Sequence, residues 1–545
     1  MTEPGETPGR RPSAEGTPAD PYVRYDARVL DPVTAHRLPD GTPPATTSYV
    51  TDRLVVTARS LVEARELVAS VGAGLSGTGD GRRLGVVRSP LDLIGEPARE
   101  PVDEAEARLA RLLTAADQLG LPLVFGVQIG DLTDDPGPRV PVDVWPLLLR
   151  LRSTDERLAA AVGLDHLMIS SALVSGNPFP ARGMALVQGS PFSARGFSSG
   201  VATYVQAGSG GHGPVTVVLD PPRALPGEAS PRVVVLDTGV GRHPWFDAVP
   251  VQDRLLLAGG DPVGVDVDDP AAVDTDPEAA GAVPDPMTGL LGSHAGHGTF
   301  IAGLLRQTCP SAEIVAVRVM GVDGTVPETE LAAALLGVAV RVRQDPPFPV
   351  HALVLSLGYY AETGADLDYT AGIKVLLAAL GESGVTVFAA AGNDSSRTPM
   401  FPAAFAATGP GDTRGLDCVV AVAAENPDGS DALFSNDGAW VRGRAPGANV
   451  VSTVPVTQQG GGQADDRFPG PFEAYRGTID PDDYSSGFGT WSGTSFAAPV
   501  LAGRYLAALA RSGLPLDTQD AAARTQWRAL VPLAAAAASG EEETR

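Results

Sequence analysis

The sequence predicts an α/β fold for residues 231–512, with a doubly wound, mostly parallel sheet, preceded by a smaller α+β domain. Residues 232–237 (RVVVLD) form an uninterrupted apolar run, as strands buried on both faces of a parallel sheet do. Helical and strand-like runs then alternate as far as residue 509, in the rhythm of successive βαβ units. The 545-residue chain is 43% hydrophobic and 19% charged, so it carries ample apolar material for a large core.

Three segments of different composition precede the parallel sheet. Residues 1–45 are rich in Pro, Gly, Thr and acidic groups and are predicted to be disordered. Residues 46–165 are predicted to form the α+β domain, because strand-like and helical patterns alternate there. Its expected elements are strands at 53–58, 121–129 and 140–152, and helices opened by a Ser60–Glu63 capping box, at 102–119, and by Ser153 with Glu156. Residues 166–230, rich in Gly, Ser and Pro, are expected to be a connector packed on the next domain.

The main domain continues the alternation after its first strand. Further strands are expected at 313–320, 351–357, 385–391 and 418–424, and helices at 298–306, 327–343, 369–380 and 494–509. Residues 513–545 are expected to add a C-terminal helix and an acidic tail.

Charge and hydropathy exclude several classes of partner. The net charge of −25 argues against nucleic acid and against an anionic membrane surface, because both would repel this protein. No run of about 18 apolar residues occurs, so no transmembrane helix is expected. The first 20 residues lack the apolar core of a secretory signal, so a cytoplasmic location is expected, with export by another route left open. Cys309 and Cys418 are expected to be buried free thiols, with a single disulfide as the alternative.

Asp237 ends the first strand of the parallel sheet, within VVVLDTGV. A carboxylate at the carboxyl end of such a strand faces the crevice where these folds place their sites. One alternative is an Asp that only caps a turn. Another is an aspartic protease, whose signature includes DTG, but that mechanism needs two such aspartates. No second DTG or DSG occurs in this chain, so only a homodimer could supply the pair.

His297 lies at the start of a helical run, in SHAGHGTFIAGLL. A short, Gly-bounded helix start lets one ring nitrogen face a nucleophile and the other a carboxylate. His294, three residues earlier, raises the alternative of a metal-binding pair. Zinc-binding helices place their histidines four residues apart with a Glu between them, and neither condition holds here.

Ser495 and Asn393 complete the candidate catalytic set. Ser495 opens a helical run in GTWSGTSFAAPVLAG, where the helix dipole and free N–H groups favour a nucleophile and a developing oxyanion. Asn393 follows an apolar strand in VTVFAAAGNDS, and its amide is expected to donate to that oxyanion. Considered alone, Ser495 fits an ordinary helix N1 or N-cap residue better than a nucleophile, and the alternative for Asn393 is a turn-forming Gly-Asn pair.

The strings VVVLDTGV, GHGTFIAGL, LSLG, AAAGN and GTSFAAPVLAG together resemble the signature segments of the subtilase family, in the family's order. The order Asp, His, Ser is that of subtilisin and differs from the chymotrypsin and α/β-hydrolase orders. The resemblance covers residues 231–512. It implies a subtilisin-like fold and serine endopeptidase activity on protein or peptide substrates. Asp237 would orient the ring, His297 would be the base, Ser495 the nucleophile and Asn393 the side-chain donor of the oxyanion hole.

The resemblance also implies a substrate-binding region. Ser356, Leu357 and Gly358 match the edge segment that pairs with an extended substrate. Ala390, Ala391 and Gly392 match the segment beside the primary specificity pocket. Three segments depart from the family pattern: Phe300 follows HGT, Phe496 follows the nucleophile, and Tyr359 with Tyr360 follows SLG. The two tyrosines are expected to narrow the substrate cleft.

Activity is expected to rise with pH through about 6–7.5, since a His base acts only when neutral. The alternative function is that of a catalytically silent module that kept the fold for binding or regulation. The presence of all four site residues disfavours it.

Residues 46–165 resemble subtilase propeptides only in their α+β alternation. They are expected to inhibit the enzyme or to recruit a partner, with maturation cleavage between about residues 165 and 231.

Two insertions, residues 261–286 and 457–488, stand out by their composition. Residues 261–286 are acidic and free of Lys and Arg, which fits a solvated loop; a calcium loop is the alternative, without an EF-hand-like spacing to support it. No cofactor is expected to be required and no metal ligands are assigned. Residues 457–488 are rich in Gly and Asp and are expected to form a lid or a cleft wall before the nucleophile.

Overall fold

The computed structural model describes residues 21–75, 83–95, 99–101, 103–132, 141–170, 212–247, 249–269, 276–279, 291–363, 371–409, 412–461, 463–470, 475–517 and 521–531. Several sequence-based expectations fall outside these ranges. They concern residues 1–20 of the first segment, 171–211 of the connector, 270–275 and 280–286 of the acidic insertion, and 532–545 of the tail.

The N-terminal unit is an antiparallel sheet with helices. Its elements are α1 Pro21–Arg24, β1 Ala27–Leu30, β2 Thr47–Ala58, α2 Leu61–Leu75, β3 Leu84–Arg88, α3 Glu104–Gln118, β4 Leu123–Asp131, α4 Val144–Thr154, α5 Glu156–Ala161 and β5 Val162–Ser170. The strands run in the order β5-β2-β4-β3, each antiparallel to its neighbour, and β1 also pairs with β2. Asp103 caps α3 by accepting from the N–H of Glu106, which fixes where that helix begins.

Two expectations for this unit differ from the structure. Residues 140–152 were expected to be a strand, but 144–154 form α4, because Asp143 accepts from the N–H of Trp145 and caps a helix whose apolar residues face the core. Ordered elements also begin before residue 46, since β1 pairs with β2 in the region expected to be disordered. The first difference reflects a local cap that the apolar run concealed, and the second reflects strand pairing that a short apolar run does not reveal.

The C-terminal unit contains the remaining elements. They are β6 Gly213–Pro214, β7 Arg232–Asp237, α6 His297–Thr308, β8 Glu313–Arg318, β9 Thr325–Pro327, α7 Glu328–Arg343, β10 Ala352–Leu355, β11 Leu357–Tyr360, α8 Ala371–Glu382, β12 Thr386–Ala390, β13 Met400–Phe401, β14 Val419–Glu425, β15 Gly443–Pro446, β16 Val450–Thr453, β17 Arg467–Pro469, β18 Tyr475–Gly477, β19 Phe488–Trp491, α9 Thr494–Arg511 and α10 Ala521–Arg528.

Six parallel strands form the central sheet of this unit, in the order β15-β14-β12-β10-β7-β8. Side chains alternate along β7: Val233 and Val235 join the core with α6 and α9, whereas Val234 and Leu236 join the core with α7 and α8. Helices therefore cover both faces, and the doubly wound α/β fold predicted from the sequence is confirmed.

The two units share one hydrophobic core. Residues of β2, β4, α7 and α8 belong to the same buried cluster, so the N-terminal sheet lies on the α7–α8 face. β5 also pairs antiparallel with β11 and β9 of the C-terminal unit, so the N-terminal sheet continues into that unit. The N-terminal unit is thus both packed against the main domain and joined to it by strand pairing.

Within the described residues, no helix is long and apolar enough to cross a membrane. Cys309 and Cys418 are both free and buried, as expected from the apolar runs beside them.

Candidate active site

Asp237 and His297, 60 residues apart in the chain, are brought together at the carboxyl end of β7. Asp237 ends that strand and His297 is the first residue of α6. His297 Nδ1 lies 2.7 Å from Asp237 Oδ1, and both side chains are almost fully buried. A buried carboxylate in this position holds the ring and favours the tautomer with the proton on Nδ1.

Close backbone packing sets the distance between these two residues. Gly239, two residues after Asp237, has φ +106°, and a Cβ on Gly298 would lie only 2.0 Å from the Gly239 carbonyl oxygen. The turn after β7 and the start of α6 therefore touch through glycine backbone, which no other residue permits.

Glu278 is buried and links the chain segment that follows Asp237 to the segment that follows His297. Its Oε1 accepts from the hydroxyl of Thr238 and, at 3.1 Å, from the N–H of Gly298. Its Oε2 lies 2.5 Å from the hydroxyl of Thr299. Burial and the nearby charges of Asp276 and Asp237 raise the pKa of Glu278 to about 8, so at neutral pH the carboxyl is protonated and donates in one of its two contacts with the threonine hydroxyls.

Ser495 occupies the first turn of α9, directly after Gly493 and Thr494. Its hydroxyl donates to the carbonyl oxygen of Ser356 at 3.2 Å. Nε2 of His297 is buried and makes no hydrogen bond. In this structure the Ser495 hydroxyl therefore bonds to Ser356 and not to His297.

The amide of Asn393 is held in one orientation by Thr494. Asn393 Oδ1 accepts from the N–H and from the hydroxyl of Thr494, both at 2.9 Å. Because its oxygen is used on that side, the NH₂ group of Asn393 is directed away from Thr494. Asn393 is 3% exposed and contacts Thr494, the first residue of α9.

Aromatic rings pack around His297. The ring centroids of Trp491 and Phe496 lie 5.4 and 5.3 Å from that of His297, and Phe300 packs on both. Phe300 and Phe496, two departures from the family pattern, thus form one wall of the site. A dry aromatic wall strengthens the electrostatic interactions inside the site.

His294 lies beside His297, with the two ring centroids 5.6 Å apart. Its Nδ1 lies 2.8 Å from the Ser293 hydroxyl, and burial together with His297 lowers its pKa well below the ordinary value. Among the described residues, no group of three or more His, Cys, Asp or Glu side chains is arranged to hold a metal ion. In the acidic insertion, Asp261 and Asp266 instead pair with Arg111 and Arg108 of α3. Asp274 and Asp285 lie outside the described residues.

The edge segment Ser356, Leu357 and Gly358 does pair with an extended strand, and that strand is β5 of the same chain. Leu357 lies opposite Ser170 and Gly358 opposite Ile169. On its other side β5 pairs antiparallel with β9, from Leu167 to Ile169. β5 is therefore the middle strand of three, in the place that the edge segment is expected to offer to a substrate.

Ser170, the last described residue of β5, lies beside the candidate nucleophile. Its N–H donates to the carbonyl oxygen of Gly324 at 2.7 Å. Its hydroxyl donates at 3.3 Å to the Ser356 carbonyl oxygen, the same atom that accepts from Ser495. Residues 171–211, which follow, lie outside the described ranges.

The segment Ala390, Ala391 and Gly392 lies buried at the end of β12 and is held by Asn436. The Asn436 side chain donates to the carbonyl oxygen of Ala391 at 3.0 Å, and a Cβ on Gly392 would meet its Nδ2 at 2.3 Å. Tyr360 donates to Asp394 and accepts from Asn436, so it braces this segment as well.

Glu278, Asn436 and β5 were not identified from the sequence as parts of the site. Glu278 stands in an acidic stretch where nothing distinguishes it from its neighbours, and Asn436 lies in a polar loop. The alternation of β5 gave no sign that it pairs with a strand nearly 190 residues later. In all three cases the functional contact is made at long range.

The C-terminal part of the chain is similar to a known protein family. The sequence model of the subtilase family matches residues 229–542. Subtilisin-like protease 5 of Arthroderma gypseum is 30% identical over 226 residues, which cover 41% of this chain and 45% of that protein. Subtilisin BL of Lederbergia lenta is 28% identical over 233 residues, covering 41% and 66% of the two chains. The thermostable alkaline protease of Halalkalibacterium halodurans is 26% identical, covering 53% and 59%. The chain thus spans less than two thirds of each of these relatives.

Two solved structures are also similar. A cold adapted subtilisin-like serine proteinase has a TM-score of 0.33 and 22% identity, covering 58% of this chain and 86% of that one. Fervidolysin from Fervidobacterium pennivorans, a keratinolytic enzyme related to subtilisin, has a TM-score of 0.42 and 16% identity, covering 86% of this chain and 56% of that one.

Proposed function

The chain belongs to the subtilase family, and on that premise we propose that it is a serine endopeptidase with Asp237, His297 and Ser495 as its triad. The observation that carries the proposal is the buried 2.7 Å contact between His297 Nδ1 and Asp237 Oδ1. It is supported by a serine in the first turn of α9 and by the outer ring nitrogen of His297, which makes no hydrogen bond.

In the proposed reaction, the Ser495 hydroxyl turns from the Ser356 carbonyl to His297 and gives its proton to Nε2. Oγ attacks the carbonyl carbon of a peptide bond, and the oxyanion accepts from the Asn393 side chain and the Ser495 N–H. The C–N bond breaks as His297 returns the proton to the leaving amine. Water, activated by the same ring, then hydrolyses the acyl-enzyme.

Asp237 contributes by holding the ring and stabilising the imidazolium formed in both steps. Asn393 contributes in the transition state, since its amide faces the place where charge develops. Removing an oxyanion donor of this kind typically costs about 2.7–4 kcal/mol of transition-state stabilisation. No step requires a metal ion.

The test is covalent labelling with a fluorophosphonate probe, which reacts with activated serines. Wild-type protein and a Ser485→Ala control, which lacks an exposed serine ten residues earlier, are expected to be labelled at Ser495. Ser495→Ala is expected to remain unlabelled. Equal labelling of the wild type and Ser495→Ala, or a folded wild type that does not react in intact or self-cleaved form, contradicts the proposal.

We further propose that the N-terminal unit inhibits the enzyme until it is cleaved. β5 lies between β9 and β11, and Ser170 shares the Ser356 carbonyl with Ser495. A strand in this place excludes a substrate strand, because both need the same backbone donors and acceptors. Cleavage is expected beyond Ser170 and before Arg232.

Substitution at Ser170 tests the inhibition. Ser170→Pro removes the N–H donated to Gly324, whereas Ser170→Ala keeps it. Ser495 of the intact chain, resolved by mass, is expected to be labelled faster in Ser170→Pro than in Ser170→Ala. Equal rates in the two variants contradict inhibition by β5.

A further inference from the structure

His166 lies between two carboxylates of the C-terminal unit. It directly precedes residues 167–170, the part of β5 that pairs with β9 and β11. Its Nδ1 lies 2.6 Å from Glu328 Oε2 and its Nε2 lies 3.0 Å from Glu362 Oε2. All three side chains are almost completely buried. A neutral imidazole has one N–H donor, whereas the imidazolium cation has two. Only the cation can therefore donate a hydrogen bond to each of the two carboxylates.

The surroundings of His166 also fit a cation. Its ring stacks on Tyr359 with centroids 4.3 Å apart, and the guanidinium of Arg152 in α4 lies 3.2 Å from Glu362 Oε1. Burial by itself lowers the pKa of His166, but Glu328 and Glu362 outweigh it and raise the pKa to about 10. Burial raises the pKa of Glu328, whereas His166 and Arg152 overcome burial at Glu362 and lower its pKa to about 2. Glu362 is therefore the member of the cluster that stays deprotonated at neutral pH.

The two carboxylates are fixed to the walls of the cleft and not to the N-terminal unit. Glu328 is the first residue of α7, directly after β9, and Glu362 lies two residues after β11. These are the two strands between which β5 lies. When the N-terminal unit leaves, both carboxylates stay at the cleft and lose the cations of His166 and Arg152 together.

We propose that Glu328, Glu362 and the ring of Tyr359 form a cation-selective subsite, which favours peptide substrates with a basic side chain four residues before the position of Ser170. The proposal rests on the proposed function, because it takes β5 to lie where a substrate strand lies. The substrate's Arg or Lys replaces His166 between the carboxylates and stacks on Tyr359. A neutral side chain there leaves two carboxylates in a confined site without a partner.

The experiment compares two peptides that copy residues 166–171, with Arg or Gln in place of His166, each ending in a chromogenic amide. The full-length protein is used in whichever form, intact or self-cleaved, reacts with a fluorophosphonate. Two readouts are taken: kcat/KM for amide hydrolysis, and the peptide concentration that halves the rate of labelling at Ser495. The second readout works even when the peptides are cleaved slowly.

The Arg peptide is expected to be favoured by about tenfold or more in both readouts, as charge-assisted hydrogen bonds in a confined site provide. Glu328→Gln with Glu362→Gln is expected to abolish the preference without abolishing labelling. Glu362→Gln alone serves if the double variant does not fold. Asp261→Asn is the matched control: it removes a carboxylate that contacts the N-terminal unit through Arg111, outside the cleft, and should keep the preference.

Equal use of the two peptides by labelled wild-type protein overturns the subsite and leaves the proposed function standing. A preference that survives in the double variant overturns the assignment to Glu328 and Glu362. Absence of labelling in the wild type overturns the proposed function and the subsite with it.

Discussion

Glu278 illustrates how the geometry of the candidate triad depends on residues outside it. Its carboxyl contacts Thr238, which follows Asp237, and Gly298 and Thr299, which follow His297. The carboxyl is neutral at neutral pH because burial raises its pKa to about 8. We therefore assign Glu278 a positioning role, because its contacts link the two chain segments that present Asp237 and His297.

Replacing Glu278 separates this role from simple packing. Glu278→Gln keeps the shape and hydrogen bonds of the neutral acid and is expected to retain kcat within a few-fold. Glu278→Ala leaves two hydroxyls and one N–H without their partner and is expected to lower kcat about 10–100-fold with little change in KM. The measurement is steady-state kinetics on a peptide substrate; equal loss in both variants contradicts a positioning role.

At the scale of elements, the site depends on how closely α6 approaches the turn after β7. The contact is made by Gly298 on the helix and Gly239 in the turn, and a side chain at 298 has no space. The start of α9 is fixed in a similar way, since Thr494 donates twice to Asn393. The candidate catalytic groups therefore lie at helix starts and at or just beyond strand ends, which hold side chains more rigidly than long loops do.

Gly298→Ala tests the close approach. The added methyl must push α6 away from the turn and is expected to lower kcat/KM about 100-fold, since a displacement of about 1 Å suffices for such a loss. Gly259→Ala is the control, because a Cβ there meets no atom within 4 Å. Both are assayed for peptide hydrolysis and thermal unfolding. A Gly298→Ala enzyme as active as Gly259→Ala contradicts the role given to this contact.

The sequence predicted some of these elements better than others. The strings around Asp237, His297, Asn393 and Ser495 indicated the parallel sheet and the candidate site, because local patterning carries that information. Local patterning did not reveal α4. Its apolar run resembles a strand, and the structure shows a helix capped by Asp143. Nor did local patterning reveal the pairing of β5 with β9 and β11, which depends on contacts between distant segments.

For the whole molecule, charge complementarity joins the two units. In the described part of the chain, the ion pairs between units place the cation on the N-terminal unit and the carboxylate on the C-terminal unit. They are Arg24–Asp323, Arg108–Asp266, Arg111–Asp261, Arg152–Glu362 and the contacts of His166 with Glu328 and Glu362. The partly exposed pairs contribute little individually, whereas the buried His166 cluster makes docking depend on pH.

The direction of that pH dependence follows from the raised pKa of His166. A histidine with a pKa of about 10 in the docked state and 6.5 when released contributes fully below pH 6.5, and its contribution is lost as pH rises towards 10. The melting temperature of Ser495→Ala, which cannot cleave itself, is therefore expected to fall between pH 6.5 and 10. Adding His166→Gln should flatten this fall. The same slope with and without His166 contradicts the assignment.

The central claim is that Ser495 is the nucleophile and that β5 lies before it as a substrate would. Intact-mass measurement of full-length wild type and Ser495→Ala, purified in the same way, tests both parts together. The wild type is expected to separate into two fragments cut beyond Ser170 and before Arg232, with Ser495→Ala remaining one chain. A wild type that reacts with a fluorophosphonate but stays intact, or a Ser495→Ala protein cut at the same place, contradicts the account.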